Sequence, residues 1–322
     1  MTEPHVLEPQ KHVSVLYNHI ITALRPKSPG RYVDATVGAG GHAKGILEAS
    51  SPHGELLGLD LDPRALEIAD QRLMSFSNRV HLVHSSYTLL LQALQALGWD
   101  HVDGIVIDLG VSSMQIDNPE RGFSFQKDGP LDMRFDPSQP ISADTLVNTL
   151  PENELADILW KYGDERHSYR IAREIAANRP LHTTLDLARV IKKAAGKSGG
   201  KIHPATRSFQ ALRIAVNGEL NALTEFLPNA IDVLHPGGRL AVISFHSLED
   251  RIVKQYFRRE SSDCICPPEQ PVCLCGHRAR IKEITRRPIE ADVDEISQNS
   301  RARSARLRSE EHTSELQSRQ SI

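Results

Sequence analysis

The sequence predicts an α/β fold, a doubly wound and mostly parallel sheet interrupted by an inserted helical module. Three observations predict it. Short apolar runs alternate with amphipathic stretches up to Asp108 and return after about residue 216. A glycine-rich turn, Gly38, Gly40 and Gly41, follows the first run directly. Between the two stretches the strand rhythm stops and helical patterns replace it.

In chain order, Arg31 to Thr36 (RYVDAT) is expected to be a short buried strand, and a helix through Ala43, Ile46 and Leu47 follows its glycine turn. Glu55 to Asp60 (ELLGLD) is a second strand, and Pro63 stands where the first turn of the next helix tolerates proline. Val80 to His84 and Val102 to Leu109 are the third and fourth strands. Gly238 to Phe245, after the turn His235-Pro236-Gly237-Gly238, is the fifth. From Leu146 to about Asn221 the pattern is helical. Pro151 to Glu154 opens one helix through Leu155, Ile158 and Leu159, and Thr184 and Asp186 are candidate caps for another over Leu187 to Ala195. The expected division is a discontinuous sheet domain, 1–114 and 216–308, with an inserted substrate-recognition module at 115–215. Arg308 to Ser318 (RSEEHTSELQS) looks like a translated sequencing adapter, so 309–322 is expected to be a non-native tail.

With 322 residues, 39% hydrophobic and 25% charged, the composition is that of a globular protein with room for one large domain and an insertion. No run approaches the roughly 18 apolar residues of a membrane span, and the polar start lacks the apolar stretch of a secretory signal, so no membrane and a cytoplasmic location are expected. The net charge of −3 hides an asymmetry: Arg251 to Arg308 holds 13 Lys and Arg against 8 Asp and Glu, a balance of +5. A basic face on an acidic body suits a structured RNA, with a merely solvated face as the alternative.

Glycines are needed after the first strand because the backbone turns there with positive φ and must approach a ligand with no Cβ in the way. A tight turn with no ligand is the plain alternative, and Gly38 to Ala43 also fits the G-x-G-x-x-A dinucleotide pattern. Asp60 ends the second strand, where a carboxylate can accept both ribose hydroxyls of an adenosine ligand. This favours an adenosine cofactor without separating NAD from S-adenosylmethionine. Asp108, delivered by the fourth strand beside the first, favours the latter: methyl transfer needs polar groups at that edge, and no base and carbonyl-polarising pair for hydride transfer stands out.

Asp108-Leu109-Gly110-Val111-Ser112-Ser113, Arg121 to Phe125, Asp128 to Arg134, His203 to Arg207 and Ser244 to Arg251, taken with Gly38 to His42, resemble the bacterial 16S rRNA cytosine-N4 methyltransferases. The resemblance runs from about His12 to Arg308. It implies a Rossmann-like class I methyltransferase fold and S-adenosylmethionine-dependent methylation of the N4 amine of the cytidine at position 1402 in the 16S rRNA of the 30S subunit. It places cofactor contacts on Gly40, Gly41, His42, Asp60, Tyr87, Asp108 and Gln115. Tyr87 stands where the family often has Phe, and Val37 and Ala43 where it often has Phe and Ser.

Because the sulfonium is an activated donor, the enzyme chiefly has to align the amine with the S–methyl bond. Asp108, by its carboxylate or the Asp108 and Leu109 carbonyls, is a candidate acceptor for the amine protons, and His246 past the fifth strand is a candidate substrate contact. Ser247 with Asp250 reads as a helix cap. Arg207 and Arg213, sharing a helix face around Gln210, are candidate phosphate contacts, with a solvated face as the alternative. Cys264, Cys266, Cys273 and Cys275 lie together in CICPPEQPVCLC, which points to a structural zinc loop more than to disulfides; His277 is a possible substitute ligand and free thiols the alternative. The competing functions are a class I methyltransferase acting on another nucleic acid or protein amine, an NAD-binding oxidoreductase, and a cofactor-binding ribosome-assembly factor without turnover.

Overall fold

The computed structural model describes residues 14–196 and 203–313; the polar opening stretch and the chain after Thr313 lie outside them. Strands β1 (Arg31–Asp34), β2 (Glu55–Asp60), β3 (Val80–His84), β4 (Val102–Asp108) and β5 (Leu234–Ser244) run parallel in the order β3-β2-β1-β4-β5. Beyond β5 the sheet turns antiparallel. Of β6 (Ile281–Glu283), β7 (Ile289–Glu290) and β8 (Arg306–His312), the last pairs with β5, and the other two pair with β8.

Helices α1 (Tyr17–Leu24), α2 (Gly41–Ala49), α3 (Pro63–Leu73) and α4 (Leu90–Ala96) alternate with the early strands. Strand β4 (VDGIVID) is buried along nearly its whole length, as a strand covered on both faces must be, and this is why it reads as an unbroken apolar run. Asp62 caps α3 by accepting the Arg64 N–H at 3.1 Å, with Pro63 in the first turn. Five helices follow in the middle of the chain: α5 (Ser113–Asp117), α6 (Ala143–Thr149), α7 (Glu152–Gly163), α8 (Ser168–Ala177) and α9 (Thr184–Ala195). They precede α10 (Ala205–Asn217) and α11 (Glu219–Asp232), while α12 (Ser247–Glu260) and α13 (Val293–Gln298) come after β5.

The chain divides into two compact units, one made of residues up to Leu109 together with those from Thr224, the other Gly110–Leu223. Each has its own core. Leu16, Tyr32, Ile46, Leu56, Val106, Ile243 and Leu307 centre the sheet unit, and Met133, Leu155, Leu159, Ile171, Ile191 and Leu212 the helical one. Full burial of such a side chain contributes about 1.5–3 kcal/mol.

Three expectations are corrected. Helix α9 starts earlier than Leu187, because Thr183 is its cap and accepts the Asp186 N–H at 3.2 Å. The cap of α12 lies one residue before Ser247: His246 and Glu249 form the reciprocal box, leaving Asp250 free for another partner. The tail boundary at 308 falls inside β8, where Ser309 pairs with Ala241 and Glu310 with Leu240. A backbone ladder accepts these residues whatever their side chains. Glu310 nevertheless fits poorly, being fully buried with neither carboxylate oxygen hydrogen-bonded.

Candidate active site

Beyond β1 the chain moves outward to β2 and β3, and beyond β4 it moves the other way to β5, so the connections diverge above the carboxyl ends of two neighbouring strands. Such a divergence marks the usual ligand position in sheets of this kind. Asp34 and Asp108 end the two strands, and Asp60 ends β2. Thr36 fastens the edge by accepting the Asp108 N–H on its hydroxyl at 2.7 Å.

The glycine turn is shaped from the same side chains. Gly38 and Gly40 have φ of 51° and 76°, a region that suits glycine. A Cβ on Gly41 would strike the Ser14 hydroxyl. Asp60 organises the turn: one carboxylate oxygen accepts the Gly38 N–H and the other the Asp62 N–H, both at 2.8 Å. Each oxygen keeps a further lone pair, so the carboxylate can hold the backbone and a ligand diol together.

Electrostatically this edge is unusual. Burial, with a contribution from Asp60, pushes the Asp34 carboxyl up to about 7. Burial, followed by the charges of Asp34 and Glu249, raises Asp108 well above the carboxylate range. Asp34 Oδ2 and Asp108 Oδ1 are buried with no hydrogen-bond partner. A positively charged ligand would relieve both, since it favours the ionised carboxyls and supplies what their orphaned oxygens lack. His42, at the start of α2, is buried with both ring nitrogens unpartnered, and burial lowers it to about 4. The imidazole is therefore neutral near pH 7, and its 3.8 Å approach to Asp108 Oδ2 joins polar groups rather than opposite charges.

His246 stands just past β5, which pairs with β4, and the residue after β4, Leu109, donates its N–H to Ile243 O at 3.0 Å. Its Nδ1 accepts the Glu249 N–H at 3.4 Å, and its Nε2 lies 3.0 Å from Glu249 Oε1, close enough to attract but outside hydrogen-bond geometry. Glu249 in turn accepts the Phe245 N–H at 2.8 Å and the His246 N–H at 3.3 Å. The imidazole is thus held in orientation at the edge that carries Asp108. Asp250 has a structural role, accepting the Arg308 Nε–H at 2.7 Å and so joining α12 to β8.

The remaining sequence candidates separate. Tyr87, after β3, packs edge-on against Phe226 with centroids 5.2 Å apart. Gln115, in the helical unit, is buried and closes the α5 capping box, its Oε1 accepting the Ser112 N–H at 3.0 Å. On α10, Arg207 is exposed and donates to Asp164 O at 3.3 Å. Arg213 is corrected as a phosphate contact: it makes a mostly buried pair with Glu219, two bonds at 2.8 and 2.9 Å, which spends its donors inside the unit. The four cysteines lie together on the loop after α12, whereas His277, with its Nε2 2.9 Å from Arg259 O, is not grouped with them. Sequence reasoning missed Asp34, Thr36 and Glu249. Asp34 had a signal, a carboxylate at the end of an otherwise apolar strand beside the glycine turn, while Thr36 and Glu249 carry none without the strand order.

The model of the MraW methylase family matches residues 9–313. A ribosomal RNA small subunit methyltransferase H of Thermomicrobium roseum is 50% identical over 303 residues, covering 93% of each chain. The protein of that name from Geobacter sp. (strain M21) is 52% identical over 94% of this chain and 98% of its own. Among solved structures, a putative rRNA-methylase from Clostridium thermocellum aligns over 93% of this chain and 94% of its own, with a TM-score of 0.43 and 11% identity.

Proposed function

Because this chain belongs to the MraW methylase family, we propose that it methylates the N4 amine of the cytidine at position 1402 of 16S rRNA within the 30S subunit, in the cytoplasm. It is an S-adenosylmethionine-dependent 16S rRNA methyltransferase. No helix among the described residues is long and apolar enough to cross a membrane.

One observation supports the site assignment above others: Asp34 and Asp108, at the ends of β1 and β4 where the connections diverge, each have a buried carboxyl oxygen with no hydrogen-bond partner. A ligand with an adenosine at one end and an ammonium and sulfonium at the other fits that arrangement. Asp60 takes the ribose hydroxyls while it holds Gly38, and Tyr87 covers the adenine. Gly40 and Gly41 let the backbone come close, His42 contributes a neutral polar wall, and Gln115 is a further cofactor contact that the family resemblance implies. The cofactor supplies an activated methyl group. Asp108 accepts the amine N–H, and His246, fixed by Glu249, orients the base. Loss of the amine proton can follow transfer, so no strong base is required. Arg207 contacts RNA phosphate.

The test compares methylation of undermethylated 30S subunits with that of an isolated decoding-region hairpin at equal concentration, with mass spectrometry to locate the product. The proposal expects N4-methylcytidine and much faster transfer to the particle, since a chain of net charge −3 lacks a uniform field for naked RNA. A methyl group on C5 overturns the chemistry. Equal rates overturn the particle requirement.

A further inference from the structure

The loop between α12 and β6 carries a second site, unrelated to the carboxyl edge. Cys264, Cys266, Cys273 and Cys275 place their sulfurs within 4.8 Å of one another, with Cys273 to Cys275 at 3.6 Å and Cys264 to Cys275 at 3.9 Å. All four are free thiols. A single tetrahedral ion with metal–sulfur bonds of about 2.3 Å needs sulfurs about 3.8 Å apart, close to these spacings. A disulfide needs about 2.05 Å, and a multi-iron cluster spreads its cysteines wider than one ion does.

The loop is also prepared to hold charged sulfur. The Cys266 N–H donates to Cys264 Sγ at 3.4 Å and the Ile265 N–H to Cys275 Sγ at 3.5 Å. Such donors orient and stabilise thiolate ligands in the way outer hydrogen bonds do at metal centres. The loop has little else to fold around, because its apolar residues Ile265, Val272 and Leu274 all point to solvent, with Leu274 79% exposed. A stretch without a core needs a cross-link.

We propose that these four cysteines bind one zinc ion as a tetrathiolate site that fastens the α12–β6 loop. Four thiolates select a soft cation, and a fully ligated tetrahedron is a structural rather than a catalytic centre. Its position agrees: the loop follows the far end of α12, a 14-residue helix about 21 Å long whose other end carries the His246 cap. With no side chain to spare for a substrate, the ion's work is to hold the loop that leads into Arg278, Arg280 and Lys282 at the antiparallel edge.

The test uses the full chain and readouts independent of methyl transfer, so it stands or falls separately from the proposed activity. Elemental analysis of protein refolded with zinc and desalted should give about one zinc per chain, and cobalt in its place should give the intense ligand-field absorption of a tetrahedral thiolate site. Zinc should slow alkylation of the four cysteines by at least about tenfold, reversed by chelator. Both signals should vanish in Cys264→Ser/Cys275→Ser, whose folding is checked by an unchanged far-ultraviolet circular dichroism spectrum. Protein that takes up no zinc, that retains zinc in the double variant, or whose cysteines are found paired as disulfides overturns the proposal.

Discussion

The two halves of the sheet bury acids in opposite ways. At the antiparallel side, Asp250 sits against Arg308 with bonds of 2.7 and 3.4 Å, and both side chains are largely inside the protein. At the parallel side, Asp34 is buried and Asp108 half-buried, and each has one buried oxygen, Asp34 Oδ2 and Asp108 Oδ1, with no hydrogen-bond partner. Burying a carboxylate costs several kcal/mol unless it is paired. The paired acid is therefore architecture, and the unpaired ones are tolerated where a cationic ligand completes them. Glu310 sharpens the contrast, for it is buried and unpaired on the architectural side, within β8.

The largest effect that can break this contrast is at the paired acid. Asp250→Ala should destabilise the fold by about 3–5 kcal/mol in urea unfolding, because Arg308 is left buried with its charge unanswered. Asp250→Leu with Arg308→Leu should recover most of that loss; if it does not, the pair is more than a satisfied charge. Next, Glu310→Leu should raise stability by about 1–3 kcal/mol. Burial holds the Glu310 carboxyl well above its ordinary range, so the native state keeps a proton that the unfolded chain releases. Stability should accordingly fall as pH rises through the ordinary carboxyl range toward the raised native value, and the Leu variant should flatten that slope. A variant less stable than the parent would mean that Glu310 has a partner. Smaller again, Asp60→Ala should weaken S-adenosylmethionine binding more than tenfold, about 1.4 kcal/mol, as read by calorimetry. Some loss of thermal stability should accompany it, since the Gly38 and Asp62 amides lose their acceptor. Unchanged affinity would remove Asp60 from the site.

How much of this was legible follows from how far apart the interacting residues are. Strands β2 and β3 appear in the sequence with the bounds they have in the fold, β2 as a short buried apolar run and β3, the half-buried edge strand, as a short run with three apolar residues. The glycine turn is equally plain. Strand β8 was hidden, since RLRSEEH is neither apolar nor alternating and its second half resembles an adapter. The Arg308 partner of Asp250 lies 58 residues away, so nothing local marks it. The cap of α12 was displaced by one residue because a histidine, an uncommon cap, takes the place that Ser247 was expected to hold. Arg213 looked like an RNA contact on its own helix face, and the acid that occupies it belongs to the next helix. The raised carboxyls at the parallel edge needed the strand order, which only the fold supplies.

The central claim is that the unpaired carboxyls of the parallel edge are counter-charges for the cationic cofactor. Asp34, pushed up to about 7 by burial first and Asp60 second, is partly protonated near neutrality in the free protein. A bound cation favours its ionised form, so the complex holds fewer protons and affinity rises with pH through about 7. Titration calorimetry of S-adenosylmethionine just below neutrality, in buffers of different ionisation enthalpy, measures that proton directly. The parent chain should show net proton release, and Asp34→Asn clearly less, because only Asp108 is left to give up a proton. Binding without proton release, at an affinity indifferent to pH, would contradict it.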